Sequence, residues 1–111
     1  MSGGFGNAAQ VERRIARRYP MDCGVEIEWG SSVLLARARD ISRSGMFLST
    51  PESLWVGASF AVKLLMETPM RFDCAVRRVE PTRGVGVQIT ACDETTQTLL
   101  SDLLTFLERR R

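Results

Sequence analysis

The segment Val25–Leu48, VEIEWGSSVLLARARDISRSGMFL, decides how this chain folds. In VEIEW the residues alternate with period two. Val25, Ile27 and Trp29 face one way and Glu26 and Glu28 the other, as in a strand with one buried face. Gly30-Ser31-Ser32 supplies a turn, and Val33–Ile41 resumes as a second strand. Placing Trp29 opposite Leu34, Ile27 opposite Ala36 and Val25 opposite Ala38 keeps one face apolar. It also sets Glu26 across from Arg37 as a cross-strand ion pair. In such a hairpin the chain before Gly24 lies beside the chain after Arg39, so upstream RRIARR, Arg13–Arg18, is expected to meet Asp40–Gly45 in space. Asp40 and Ser42 share strand parity and are expected to point the same way.

Outward from this hairpin, residues 1–12 are small and polar and read as a flexible arm. Pro20 ends any helix begun in the arginine segment 13–20. Downstream, MFLST, FAVKLLM, MRFDCAVRRVE and VGVQIT read as four further strands separated by Gly and Pro turn signals, among them PTRG before the sixth. Short strands of this kind predict an all-β, six-stranded antiparallel barrel over residues 24–90. The tail then changes period. Leu99, Leu100, Leu103, Leu104, Phe106 and Leu107 form an apolar stripe of a C-terminal α-helix over 93–109, expected to cover one end of the barrel. Asp93 and Glu94 suit its start and Arg109–Arg111 its end. The 111 residues thus make a single domain, 13–111, behind a short arm.

Composition narrows the chemistry. Net charge is +2, yet Arg13, Arg14, Arg17 and Arg18 against Glu12 give a local +3, leaving −1 for the rest of the chain. A concentrated basic patch suits a small anionic partner and disfavours DNA or RNA binding, which draws on a long basic surface. Lys63 is the only lysine, so cationic contacts fall to arginine, whose planar fork matches phosphate and the guanine edge. No histidine is present, which removes the usual proton shuttle and the usual base for a nucleophile. Without histidine, and with no C-x-x-C pair, Cys23, Cys74 and Cys92 read as reduced, buried thiols of a cytoplasmic protein rather than metal ligands. The sequence contains no Gly-x-x-x-x-Gly-Lys loop and no apolar run of membrane-spanning length, and MSGGFGNAAQ, without a basic segment followed by an apolar core, does not read as a secretory signal. Neither catalytic nor metal-binding residues are expected.

Recognition remains. Guanidinium forks bond phosphate oxygens or the guanine edge, and a carboxylate accepts from the guanine N1 and N2 hydrogens. Gly45 permits an unusual turn or a close approach to a ligand. Arg13-Arg14 with Arg18 resembles the R-R-x-x-x-R signature of PilZ domains, and Asp40, Ser42 and Gly45 match their D/N-x-S-x-x-G signature. The arginines allow two frames, Arg13 with Arg17 and Arg14 with Arg18. The likeness covers nearly the whole chain from Arg13. It implies a PilZ-like barrel that binds the bacterial second messenger cyclic di-GMP. The arginine segment (Arg13, Arg14, Arg18) would wrap over the dinucleotide, and Asp40 and Ser42 would hold a guanine from the barrel surface. Arg17 and Arg43 are auxiliary candidates; Arg43 and Arg83, the latter in a turn, read first as solvated surface residues and only second as ligand contacts. The implied role is a non-enzymatic receptor that signals to a protein effector by changing its surface. The alternative from another class is a PilZ-type interaction adaptor that binds no nucleotide.

Overall fold

A computed structural model describes residues 16–110. Strands β1(Tyr19–Trp29), β2(Ser32–Ile41), β3(Gly45–Ser49), β4(Ser59–Leu64), β5(Met70–Glu80) and β6(Gly84–Ala91) are followed by helix α1(Glu94–Arg109). The strands close into an antiparallel barrel in the order β1-β2-β3-β6-β5-β4. Inward residues of each strand fill it. Val25, Ile27, Ala38, Ile41, Met46, Leu48, Val62, Leu64, Phe72 and Val76 are all inaccessible to solvent. Alternation puts the polar residues outside, as a barrel closed on its own core requires.

The first hairpin is shifted by two residues from the expected register. Ile27 lies opposite Leu34 and Val25 opposite Ala36, while Trp29 pairs with Ser32 across the two-residue turn Gly30-Ser31. Gly30 takes φ 61°, and positive φ at the first central residue gives the II′ twist that suits a right-handed ribbon. A shift of two preserves parity, so both apolar faces survive it. The expected ion pair does not. Glu26 sits opposite Leu35, Arg37 bonds Asp22 at 2.6 Å, and Glu28 takes a two-pronged bond from Arg71.

β1 also starts at Tyr19, earlier than the expected Gly24, with Tyr19 opposite Ile41 and Pro20 opposite Asp40. Tyr19 is buried and its hydroxyl lies 3.3 Å from Glu108 of α1, which anchors the strand's start to the helix. A bulge between Pro20 and Cys23 breaks the ladder, which is where a strand tolerates proline.

The carboxylate of Asp93 caps α1, accepting from the Thr96 amide at 2.7 Å. Leu100 and Leu104 are buried against the barrel, with Leu99, Leu103 and Leu107 partly covered. Phe106, expected in the same stripe, is instead exposed beneath the guanidinium of Arg110. Cys74 is buried, whereas Cys23 and Cys92 are only half-buried, and all three are free thiols. No helix among the described residues is long and apolar enough to cross a membrane.

Candidate functional site

Strict alternation along β2 would send Asp40 inward with Ala36 and Ala38. A bulge prevents this. Ala38 pairs with Leu48 and Asp40 with Phe47, leaving Arg39 as an extra residue without a partner on β3. The extra residue reverses parity, so Ile41 takes the core position and Asp40 comes out to the barrel surface. There one oxygen of its carboxylate accepts from Arg18 at 2.7 Å and from the Phe47 amide at 3.1 Å. The end of the arginine segment and the Asp40 end of the hairpin therefore do meet.

Ser42 does not join Asp40 on that surface. It is 2% exposed, and its hydroxyl accepts from the Ser44 and Gly45 amides at 3.2 Å and lies 3.3 Å from the Gly45 carbonyl. With the Ser42 amide donating to the same carbonyl at 2.8 Å, the side chain ties the Ser42–Gly45 turn closed. Gly45 likewise serves the backbone. A Cβ there would run into the carbonyl oxygen of Val87, so glycine allows β3 to lie against β6.

That close approach creates the rest of the site. Phe47 pairs with Gly86 on β6, and Gly86 pairs with Arg78 on β5. One transverse row thus runs Pro20, Asp40, Phe47, Gly86, Arg78 across five strands. Phe47 points outward, between the core residues Met46 and Leu48. It is nevertheless buried, because guanidinium groups cover its ring: Cζ of Arg83 stands 5.5 Å and that of Arg78 6.0 Å from the centroid. Gly86 leaves room for this, since a Cβ there would come within 3.3 Å of the Arg78 guanidinium. Glu80 holds both cations, accepting from Arg78 at 2.9 Å and Arg83 at 2.7 Å. The turn carrying Arg83 includes Thr82 at φ 65°, a conformation that a β-branched residue rarely adopts.

The result is an open groove of about 340 Å³ walled by Arg18, Arg39, Arg78, Arg83, Asp40 and Glu80, with Phe47 and Pro20 between them. Four guanidinium groups against two carboxylates leave a formal +2. Such a site can bond phosphate oxygens, stack a flat base on an arginine or aromatic face, and offer carboxylate acceptors. A larger groove of about 460 Å³, between β1 and α1, is mainly apolar and contains none of the signature residues.

Of the residues expected from sequence, Arg18 and Asp40 line the groove, and Ser42 and Gly45 shape the turn behind it. Arg83, an auxiliary candidate, is a wall. Arg17 and Arg43 are exposed and lie outside the groove. Arg13, Arg14 and the arm 1–12 lie outside the described residues. Phe47, Arg78, Glu80 and Arg39 were not anticipated. The spacing Ala36, Ala38, Ile41 was the available sign of the bulge, and the PTRG turn was the available sign that Arg78 and Gly86 would pair. Among the described residues no group of His, Cys, Asp and Glu is arranged to hold a metal ion.

The family profile described as the PilZ domain matches residues 12–106. The chain belongs to the PilZ domain family. Solved structures agree on the fold. The PilZ domain with c-di-GMP of YcgR from Escherichia coli superposes with TM-score 0.70 at 19% identity, covering 88% of this chain and 93% of that one. The Bacillus subtilis inhibitor of motility MotI/DgrA gives 0.71 at 21% identity, covering 88% of this chain, which spans only 50% of that protein. The PilZ domain of CeSA from a cellulose-synthesizing bacterium gives 0.65 at 19% identity, over 84% of this chain and 99% of that domain. Comparison with curated proteins gives no match.

Proposed function

We propose that this PilZ domain is a cytoplasmic, non-enzymatic receptor for cyclic di-GMP, which binds in the groove around Phe47. The observation carrying this reading is the placement of the Arg18–Asp40 pair across the Phe47 ring from Arg78 and Arg83. The two phosphodiesters of the ligand bring −2 to a groove of formal charge +2. Guanine would lie against an arginine face while a carboxylate accepts from its N1 and N2 hydrogens. Arg18 is already at the groove, and Arg13 and Arg14 stand a few residues upstream to supply further phosphate contacts. Ser42 and Gly45 would act by fixing the turn that presents Asp40 and Phe47.

The signal in this reading is an exchange of partners. Arg18 is held by Asp40, and Arg78 and Arg83 by Glu80. Phosphate draws these guanidinium groups to the ligand, and a protein effector reads the altered surface. Titration calorimetry tests the first step. Cyclic di-GMP is expected to bind with heat release, and GMP far more weakly. A charge-assisted hydrogen bond contributes about 1.5–3 kcal/mol, so Arg18→Ala and Arg78→Ala should each weaken binding about ten- to a hundredfold. No binding of the dinucleotide at concentrations saturating for ordinary receptors would rule the proposal out.

A further inference from the structure

Four arginines wall the groove around Phe47, and three of them are held by carboxylates that wall it too: Arg18 by Asp40, and Arg78 and Arg83 by Glu80. Arg39 differs. Its bond runs at 3.2 Å to Asp22, which walls the apolar groove between β1 and α1 and not this one. Subtracting the pairs within the groove locates its formal +2: one charge is shared by Arg78 and Arg83, and the other belongs to Arg39.

Two irregularities put Arg39 in this position. On the β3 side it has no partner, falling between the pairs Ala38–Leu48 and Asp40–Phe47. On the β1 side it stands against two residues, Met21 and Asp22, between the pairs Cys23–Ala38 and Pro20–Asp40. The first bulge re-aims its side chain, and the second brings the Asp22 carboxylate to it. That bond is dispensable to Asp22. The oxygen that accepts from Arg39 also accepts from Nε of Arg37 at 2.6 Å, and the Arg37 guanidinium reaches the Asp22 carbonyl as well. The Arg37 hydrogen bond is the first cause that keeps the Asp22 carboxyl low, and the Arg39 charge is the last. Losing Arg39 therefore leaves Asp22 paired, whereas drawing Arg18 from Asp40, or Arg78 and Arg83 from Glu80, strips a carboxylate of its cations.

We infer that Arg39 is a phosphate ligand of this groove, and that Asp22, from outside it, lowers the groove's affinity by competing for that side chain. The inference rests on the reading of the groove as a cyclic di-GMP site. A phosphodiester takes Arg39 by breaking one exposed 3.2 Å bond and gains a charge-assisted pair in return. Arg39 thus exchanges more readily than Arg18, Arg78 or Arg83, although it belongs to neither signature motif. Asp22 acts as a positioning residue, since it reaches the ligand only through the arginine it holds.

Calorimetric titration of the full chain with cyclic di-GMP tests this through a double-mutant cycle. Arg39→Gln should weaken binding about tenfold, with the urea midpoint unchanged because the side chain is exposed. Asp22→Asn should tighten binding about two- to fivefold, the scale of an exposed ion pair. Removing any nearby carboxylate favours an anion at long range, so the deciding measurement is Asp22→Asn in the Arg39→Gln background, where it should have no effect. Tightening of equal size in both backgrounds would overturn the inference. So would Arg39→Gln binding as tightly as wild type. A wild-type chain that binds no cyclic di-GMP would instead overturn the reading of the groove, and this inference with it.

Discussion

Gly45 and Gly86 separate folding from binding, and substituting each by alanine should give opposite outcomes. At Gly45 a new Cβ meets the Val87 carbonyl oxygen well inside contact distance and the carbonyl carbon at 3.3 Å. Those atoms are backbone of β6, held by the ladder that pairs Gly45 with Gln88 and Met46 with Val87, so the strands must part. Overpacking of this kind costs about 1–3 kcal/mol. Parting also strains the bonds from Ser42 to the Gly45 carbonyl and from Ile89 to the Ser44 carbonyl, each of net value about 0.5–1.5 kcal/mol. The stiffer unfolded chain of an alanine variant offsets about 0.4–1 kcal/mol. Gly45→Ala should therefore destabilise the domain by about 2–3 kcal/mol, a fall in Tm of roughly 10–20 °C for a domain of this size. At Gly86 the atoms met are the guanidinium of Arg78, the free end of a flexible side chain. Gly86→Ala should leave stability within about 1 kcal/mol of wild type, while displacing the Arg78 guanidinium slightly over Phe47 and, on the proposed reading, weakening cyclic di-GMP binding. Urea unfolding followed by tryptophan fluorescence reads the first quantity and calorimetric titration the second. A Gly45→Ala protein of native stability that has lost binding would show that this glycine faces the ligand instead of β6. A strongly destabilised Gly86→Ala would show that Arg78 is fixed in place by packing.

Stability should be flat between about pH 5 and 8, because the chain has no histidine and no other side chain ordinarily titrates there. The carboxyls of Asp22 and Glu28 are held low by hydrogen bonds from Arg37 and Arg71, and that of Asp93 by the Thr96 amide. Their contribution is present above the unfolded carboxylate range near 4 and is lost as pH falls through the depressed folded values. Burial raises the thiols of Cys23, Cys74 and Cys92, so their contribution is full below the unfolded value near 8.5 and is lost as pH rises through the folded ones. Urea midpoints across pH test this, and a transition centred near neutrality would contradict it. Cys74 is buried with its thiol pushed up to about 12, so at pH 8 it should resist a thiol reagent until the protein unfolds, and rapid labelling of the native protein there would refute that packing.

The barrel was legible because its strands alternate and its turns carry glycine and proline. The hairpin register was not, since a slip of two residues keeps every apolar side chain on its own face. Sequence favoured Glu26 opposite Arg37 as a local charge match, but Arg37 found Asp22 beside the β1 bulge instead. The orientation of Asp40 was recoverable only by noticing that the inward series Ala36, Ala38 continues at Ile41. Phe47 was concealed by its neighbours: in the all-apolar run Met46-Phe47-Leu48 nothing marks the middle residue as the one facing out. Arg78 and Glu80 reach the groove through the pairing of β6 with β5, which the PTRG turn marks, and of β3 with β6, which no local pattern encodes.

These misses share a cause, which bears on how the D-x-S-x-x-G signature works here. Of its three residues only Asp40 faces the groove, and it does so because Arg39 bulges. Ser42 spends its hydroxyl on the turn, and Gly45 removes the side chain that would hold β3 away from β6. Closing that gap sets Phe47 beside Gly86 and beneath Arg78 and Arg83, residues far downstream in the sequence. Serine and glycine are thus instructions for bringing distant strands together, and the groove's chemistry resides largely in residues outside the signature. On the proposed reading, exchanging the residues at positions 47, 78, 80 and 83 would change what this groove recognises while leaving the signature and the fold in place. Conversely, loss of the serine or glycine should first be read as damage to the turn and only then as damage to binding.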